Sequence, residues 1–254
     1  MCTLIVLHRL LGNYPVVALH NRYLGKDTVE EPPRRTGGVV YPVDVASGGT
    51  WIGFNDEGLL LAITNQETQN LDKPGRSRGL LALDILRDCA TADEARDILL
   101  DPASRKPYRT GNFAVLDAEA GHHVVWDAGT HHYPVEPGVF AMGTVTIVPG
   151  IQWSDRSRSL YESSVRRVAR AHELLDGYKP RSIEEAVETM MRVSADHAHG
   201  RTESSICWHH PDYMQTSSTI MAPGPESRVL YCSGNHCENP YKDYSRAFTR
   251  AHKP

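Results

Sequence analysis

The chain opens with an apolar run, Thr3–Leu7, and a second, Val16–His20, follows across Gly12-Asn13. Short apolar runs divided by a turn-forming pair predict two antiparallel strands. The pattern recurs twice. Thr50–Phe54 and Leu59–Thr64 flank Asn55-Asp56-Glu57-Gly58, whose glycine supplies the positive φ of a hairpin turn. Asn112–Leu116 and His122–Trp126 flank Ala120-Gly121. Helical patterns lie between and after these pairs. Leu80–Cys89 is apolar nearly all round, as a buried helix is. Thr91-Ala92-Asp93-Glu94 reads as a capping box opening the next helix. Ser157–Leu175 predicts a long helix. Ser182-Ile183-Glu184-Glu185 caps another, with Ile183, Ala186, Val187, Met190 and Met191 on one face. Strands return at Ser205–Trp208, Ser218–Ala222 and Val229–Cys232. Lys26–Gly38 and Glu67–Arg78 carry neither period and predict loops over a site. The polar, aromatic tail from Glu238 predicts a surface wrap.

Clustered antiparallel strands separated by helix pairs predict an α+β fold of two sheets with helices packed outside. No linker-like composition divides the chain, so residues 1–254 are expected to form a single domain. Hydrophobic residues make up 40% and charged residues 23% of the 254, which suits a soluble globular protein with a substantial core. A net charge of -4 argues against an electrostatic nucleic-acid partner. No stretch approaches the roughly 18 apolar residues of a membrane span. The apolar start is short and has no charged leader before it, so no secretory signal is expected. The five cysteines are an odd number and do not suggest a disulfide framework; a reducing cytoplasm is the expected compartment.

Cys2 directly follows the initiator Met1. Methionine removal is normally permitted before so small a residue, and it leaves a thiol and a free α-amine on one residue. That amine has a reference pKa of about 7.7–8.0 and is partly unprotonated at neutral pH. It can accept the thiol proton and later return it to a leaving amine. The plain alternative is a small hydrophobe at a strand start.

Asn21-Arg22 follows the second apolar run, and Gly48-Gly49-Thr50-Trp51-Ile52-Gly53 leads into Gly58–Asn65. This arrangement resembles the NRDE family, which includes the transport and Golgi organisation protein 2 group. It is also similar to the N-terminal-cysteine amide hydrolases, namely the choloylglycine (bile salt) hydrolases and penicillin V acylases. Ala195-Asp196-His197, Ser205–His209, Gln215–Ile220 and Gly234–Tyr241 resemble the acyl-CoA:isopenicillin N acyltransferase family. The resemblance implies the N-terminal nucleophile (Ntn) hydrolase fold, a four-layer αββα sandwich with Cys2 opening a central strand. It implies Cys2 as nucleophile, Arg22 beside the thiol favouring thiolate, and Asn65 as an oxyanion donor. Ser157-Arg158 matches a serine-arginine helix start and makes Arg158 a candidate second cation. Asn21, Tyr23, Thr64 and Thr144 are the expected substrate-lining residues, Thr144 standing where the choloylglycine hydrolases have a second asparagine. Tyr23 and Leu24 replace the acids of the NRDE motif, and Asp27 is the candidate acid for the α-amine. Trp208 stands where the acyltransferases often have an arginine.

The resemblance therefore implies cleavage of a linear N-acyl amide through a Cys2 thioester, by an amidohydrolase or acyltransferase that needs no cofactor. Its partner is a small-molecule N-acyl amide; a homo-oligomer is compatible. The alternative is a non-catalytic binding or trafficking protein on the same fold, handling haem or lipid. The 13 histidines fall partly in doublets, His122-His123, His131-His132 and His209-His210. Neighbouring strand residues face opposite ways, so a doublet is a poor chelator, and no metal site is expected. Trp51, Trp126, Trp153 and Trp208 can line a pocket or pack the core.

Overall fold

A computed structural model describes residues 2–68 and 75–248. Met1, residues 69–74 of the expected Glu67–Arg78 loop and the end of the tail lie outside the described residues. Six strands form one antiparallel sheet in the order β10 (Gly138–Met142), β1 (Thr3–His8), β2 (Val16–Gly25), β11 (Tyr213–Ala222), β12 (Arg228–Ser233) and β13 (Lys242–Asp243). Seven form the other, in chain order: β3 (Glu30–Thr36), β4 (Val39–Asp44), β5 (Ile52–Asn55), β6 (Leu60–Asn65), β7 (Gly111–Leu116), β8 (Gly121–Trp126) and β9 (Thr130–Pro134). Helices α1 (Arg78–Asp88) and α2 (Ala92–Leu100) cover the outer face of the seven-stranded sheet. Helices α4 (Asp155–Leu174) and α5 (Ile183–Ser194) cover the six-stranded one. Two short helices, α3 (Pro102–Arg105) and α6 (Ser245–Phe248), complete the described chain.

Residue parity builds the layers. Leu4, Val6, Val16 and Ala18 point between the sheets and meet Ile52, Leu60, Ala62 and Ala114 from the opposite side. Their neighbours Ile5, Leu7, Val17 and Leu19 point outward against Ala186, Val187 and Met190 of α5. Leu61, Phe113 and Val115 point the other way, against Leu83 and Leu86 of α1. A strand covered on both faces has no polar side to present, which is why β1 and β6 read as unbroken apolar runs. Each such Leu, Ile, Val or Phe side chain contributes about 1.5–3 kcal/mol on burial.

The three expected hairpins and four principal helices form, and Thr91 and Ser182 cap α2 and α5. Strands β4, β9, β10 and β13 were not expected, β11 starts earlier than expected, and three further segments differ. Lys26–Gly38 is not all loop: Glu30–Thr36 is an edge strand whose pairing shifts register between Glu31 and Arg34. Pro32 and Pro33 fit there because an edge and an irregular register leave their missing N–H groups unneeded. The β2 strand does not stop at His20 but continues through Asn21-Arg22 to Gly25, paired with β11. Ser205–Trp208 is a buried irregular segment, not a strand.

His20 ties the sheets together. Its ring lies fully buried, with Nε2 2.9 Å from the carbonyl of Ile63 on β6. Burial pushes its pKa down to about 3, against the raising effect of that bond, and burial likewise takes His123 down to about 4. Both stay neutral in the folded protein while the unfolded chain takes up protons near pH 6.5. The unfolded state thus binds more protons, and stability is lost as pH falls from 6.5 towards 4. Thermal unfolding followed from pH 7 to pH 5 should show a falling midpoint, with a shallower fall in His20→Asn. An unchanged slope in that variant contradicts the assignment.

Candidate active site

Cys2 immediately precedes β1 and is 6% exposed. In the β1–β2 register Thr3 faces Asn21. Continuing one step sets Cys2 beside Arg22, and both line a pocket of about 430 Å³ with Asp44, Trp51, Asn65, Arg76, Arg78 and Arg109. The structure thus brings three of the expected residues, Cys2, Arg22 and Asn65, to one cavity.

Arg22 is held on three sides. Its Nη1 donates to Glu30 Oε1 at 2.7 Å, its Nη2 donates to Asp44, and its guanidinium lies 4.0 Å from the Trp51 ring centroid. Burial opposes its charge, but Glu30, Asp44 and the nearby Cys2 hold its pKa above the ordinary arginine value. Burial also raises Asp44, and the bond and charge of Arg22 outweigh this to hold that carboxyl below its usual range.

Asn65 ends β6 with its amide fixed at both atoms. Oδ1 accepts from Arg78 Nη2 at 2.8 Å, and Nδ2 donates to Glu67 Oε1 at 2.9 Å. One Nδ2 hydrogen remains for another acceptor. Behind it, Asn112 Nδ2 donates to the Asn65 carbonyl at 2.8 Å, and Gln66 and Thr68 donate to Asp127. Arg78 occupies the first turn of α1, after the cap Ser77. Burial pulls its pKa down to about 10, against the charges of Cys2 and Glu67. Burial raises Glu67, but the chain's amino terminus, Asn65 and Arg156 outweigh it and keep the carboxyl below its usual range.

The α1 N-terminus reaches the pocket through a glycine contact. A Cβ on Gly49 would come 2.6 Å from the Gly79 carbonyl carbon, and one on Gly79 would come 2.5 Å from the Thr50 carbonyl oxygen. Only bare backbones can approach so closely. The positive end of the helix dipole thereby joins Arg22, Arg76, Arg78 and Arg109, with Asp44 as the acid in the pocket wall. Such a cavity suits an anionic group.

Of the remaining expected residues, Trp51 alone is in the pocket lining. Asn21 and Tyr23 alternate with Arg22 and face the helical layer. Asn21 Nδ2 donates to the carbonyls of Ser194 and Ile206 at 3.2 and 3.0 Å, and Tyr23 donates to the Ile206 carbonyl and packs on Trp208. Neither lines the pocket. Thr64 Oγ1 donates to the Gly143 carbonyl at 2.7 Å, a link from β6 to the chain just beyond β10. Thr144 is buried, with no partner for Oγ1 among the described residues; the Leu4–Met142 register extends to set it opposite Cys2. Arg158 is exposed and lies over Trp153 at 5.4 Å. It sits one residue, about 100° of helix turn, from the buried Ser157. The buried cation on α4 is instead Arg167, whose Nε donates to Thr3 Oγ1 at 2.9 Å and whose charge acts on Cys2. Asp27 is exposed in a shallow cleft with Thr28 and Val29. Trp51 lies in the pocket wall, and Trp126 and Trp208 are core residues.

Glu30, Asp44, Glu67, Arg78 and Arg167 escape the sequence reading. Glu67 and Arg78 left a signal only as the two ends of an expected loop.

Together the two buried sheets, their outer helices and a cysteine opening a central strand define the fold of the Ntn hydrolases. Solved structures share it. An N-acylethanolamine-hydrolyzing acid amidase ortholog from Caenorhabditis elegans superposes with a TM-score of 0.56 at 14% identity, covering 88% of this chain and 93% of its own. The Cys2→Ala variant of the conjugated bile acid hydrolase of Clostridium perfringens gives 0.56 at 12% identity, covering 97% of this chain and 93% of its own. Penicillin V acylase from Agrobacterium tumefaciens gives 0.55 at 16% identity, covering 92% and 83%. No curated protein sequence matches significantly. Residues 1–238 match the family model for transport and Golgi organisation 2, and the chain belongs to this TANGO2 family.

Removing Arg22 would strand two acids beside the pocket, and breaking such a partly buried cluster costs about 3–5 kcal/mol. Urea unfolding of Arg22→Ala should show a loss of that order, whereas Arg158→Ala should stay within about 0.5 kcal/mol of the parent. Equal losses contradict this placement of the two arginines.

Proposed function

We propose that this protein is an N-terminal-cysteine amide hydrolase or acyltransferase acting on an N-acyl compound that carries a carboxylate. The observation that supports it is one cavity lined by the Cys2 thiol, the clamped Asn65 carboxamide and several arginines. The fold is shared with an N-acylethanolamine-hydrolyzing amidase, a bile acid hydrolase and a penicillin acylase.

Loss of Met1 frees the α-amine of Cys2. The amine takes the thiol proton as sulfur attacks the acyl carbon, and the carbonyl π pair moves to oxygen. The free Nδ2–H of Asn65 donates to that oxyanion; its orientation is fixed because Arg78 and Glu67 hold the amide's other positions. Collapse breaks the C–N bond, and the α-ammonium protonates the departing amine. Water or a second amine then attacks the thioester and returns the proton to sulfur. Glu67, whose carboxylate accepts from Asn65 Nδ2 beside the cavity, takes the role sought in Asp27 and holds the ammonium. The arginines bind the carboxylate.

N-acyl amino acids should be turned over in preference to the matching neutral N-acylethanolamides. Cys2→Ala should abolish turnover, and Asn65→Ala should lower kcat by about 10²–10³-fold. A liquid-chromatographic assay of released amine checks all three. Equal turnover by Cys2→Ala, or a preference for the neutral amides, overturns the assignment.

A further inference from the structure

Away from the pocket, four side chains converge behind β2. His197 lies just past α5, Cys207 and His209 lie in the irregular segment before β11, and Cys237 lies in the turn after β12. Their ligand atoms all lie within 4.8 Å of one another. His209 Nε2 is 2.9 Å from His197 Nε2, 3.5 Å from Cys237 Sγ and 3.8 Å from Cys207 Sγ.

Hydrogen bonding does not account for this. One imidazole nitrogen has a single hydrogen or a single lone pair, and here it faces three heteroatoms. A tetrahedral ion accounts for three such neighbours at the two sulfur distances, with the imidazole nitrogens at 2.9 Å opening by about 0.4 Å as it binds. With Zn–N of about 2.0–2.1 Å and Zn–S of about 2.3 Å, the ligand atoms of a zinc tetrahedron lie about 3.3 Å apart for N···N and about 3.6 Å for N···S. Two thiolates and two neutral imidazoles around Zn²⁺ make a neutral site, formed with release of the two thiol protons.

The surroundings are arranged for ligation. Trp208, between the two ligands of its segment, turns away into Tyr23, with ring centroids 4.7 Å apart. Asn235 Nδ2 lies 3.5 Å from Cys207 Sγ and donates to the Trp208 carbonyl at 2.9 Å, so it supplies an N–H to the sulfur and joins two of the ligand-bearing segments. Such outer-shell donors orient metal-bound ligands. Adjacent histidines on a strand face opposite ways and ligate poorly as a pair. Here only His209 of its doublet takes part, with Cys207 two residues before it and His197 and Cys237 from other segments.

We infer that His197, Cys207, His209 and Cys237 form a closed, structural zinc site. Four protein ligands leave no open position for chemistry. The ion pins the segment after α5 to the turn after β12. The same segment presents the Ile206 carbonyl to Asn21 and Tyr23 on β2, so the metal braces the strand that carries Arg22.

The test is elemental analysis of untagged full-length protein, purified under reducing conditions from zinc-supplemented cells. About one zinc per chain is expected, retained in Cys2→Ala and Cys89→Ser and lost in Cys207→Ser/Cys237→Ser. Stripping by chelator should lower the thermal midpoint by about 5 °C or more. Refilling with Co(II) should give the strong visible bands of a tetrahedral ion and a thiolate charge-transfer band. The cobalt spectrum uses the wild-type chain and decides the matter even if the double variant does not fold. Failure of the wild-type protein to hold zinc or cobalt overturns the inference. So do full zinc retention in the double variant and a metal-free Cys207–Cys237 disulfide in the purified protein.

Discussion

Arg22 is the hinge of the architecture. It stands on β2 of one sheet and grips Glu30 on β3 and Asp44 on β4 of the other, with Trp51 against its face. Tyr231 on β12 donates to the second oxygen of Glu30 at 3.1 Å, so the cluster spans both sheets. A guanidinium suits this junction because its planar fork serves two carboxylates at once while its face stacks on an indole. The cluster fixes the separation of the two sheets at the end where Cys2 emerges. His20, two residues earlier, repeats the link through the Ile63 carbonyl. Pocket shape and sheet packing are consequences of the same contacts.

Much of the fold was legible because sheet and helix cores leave periodic traces. Thr91 and Ser182 announced their helices through side-chain chemistry that is local in sequence, and both cap as expected. The hairpins around Gly58 and Gly121 were legible for the same reason. Strand β3 was not, because Pro32-Pro33 and four charged residues suppress the alternation, and its pairing is set by its neighbour β4. Ser205–Trp208 misled in the opposite direction. It is apolar because it is buried under α5 and β2, and burial alone does not distinguish a strand from a packed loop.

The site was legible in part. Cys2, Arg22 and Asn65 come together, and the resemblance placed them before any geometry did. Asn21 and Tyr23 face away from the pocket by strand alternation, since the neighbours of an inward arginine face outward. Arg158 stands one helical step from Ser157 and is exposed, whereas Arg167 falls on the buried stripe of α4, three and four residues from Ser164, Ser163 and Ala171. Glu67 and Arg78 bond the Asn65 amide from two and 13 residues away, around a turn and from a helix start, and such contacts follow neither the helix nor the strand period.

The reading stands or falls on the amino end of the mature chain. The most direct measurement mixes the protein with an N-acyl amino acid, quenches it in acid within the first turnover, and maps the acyl group by peptide mass spectrometry. The account predicts an N-terminal peptide that begins at Cys2 and carries one acyl group as a thioester. A retained Met1, or acyl groups spread over all the cysteines, would contradict it.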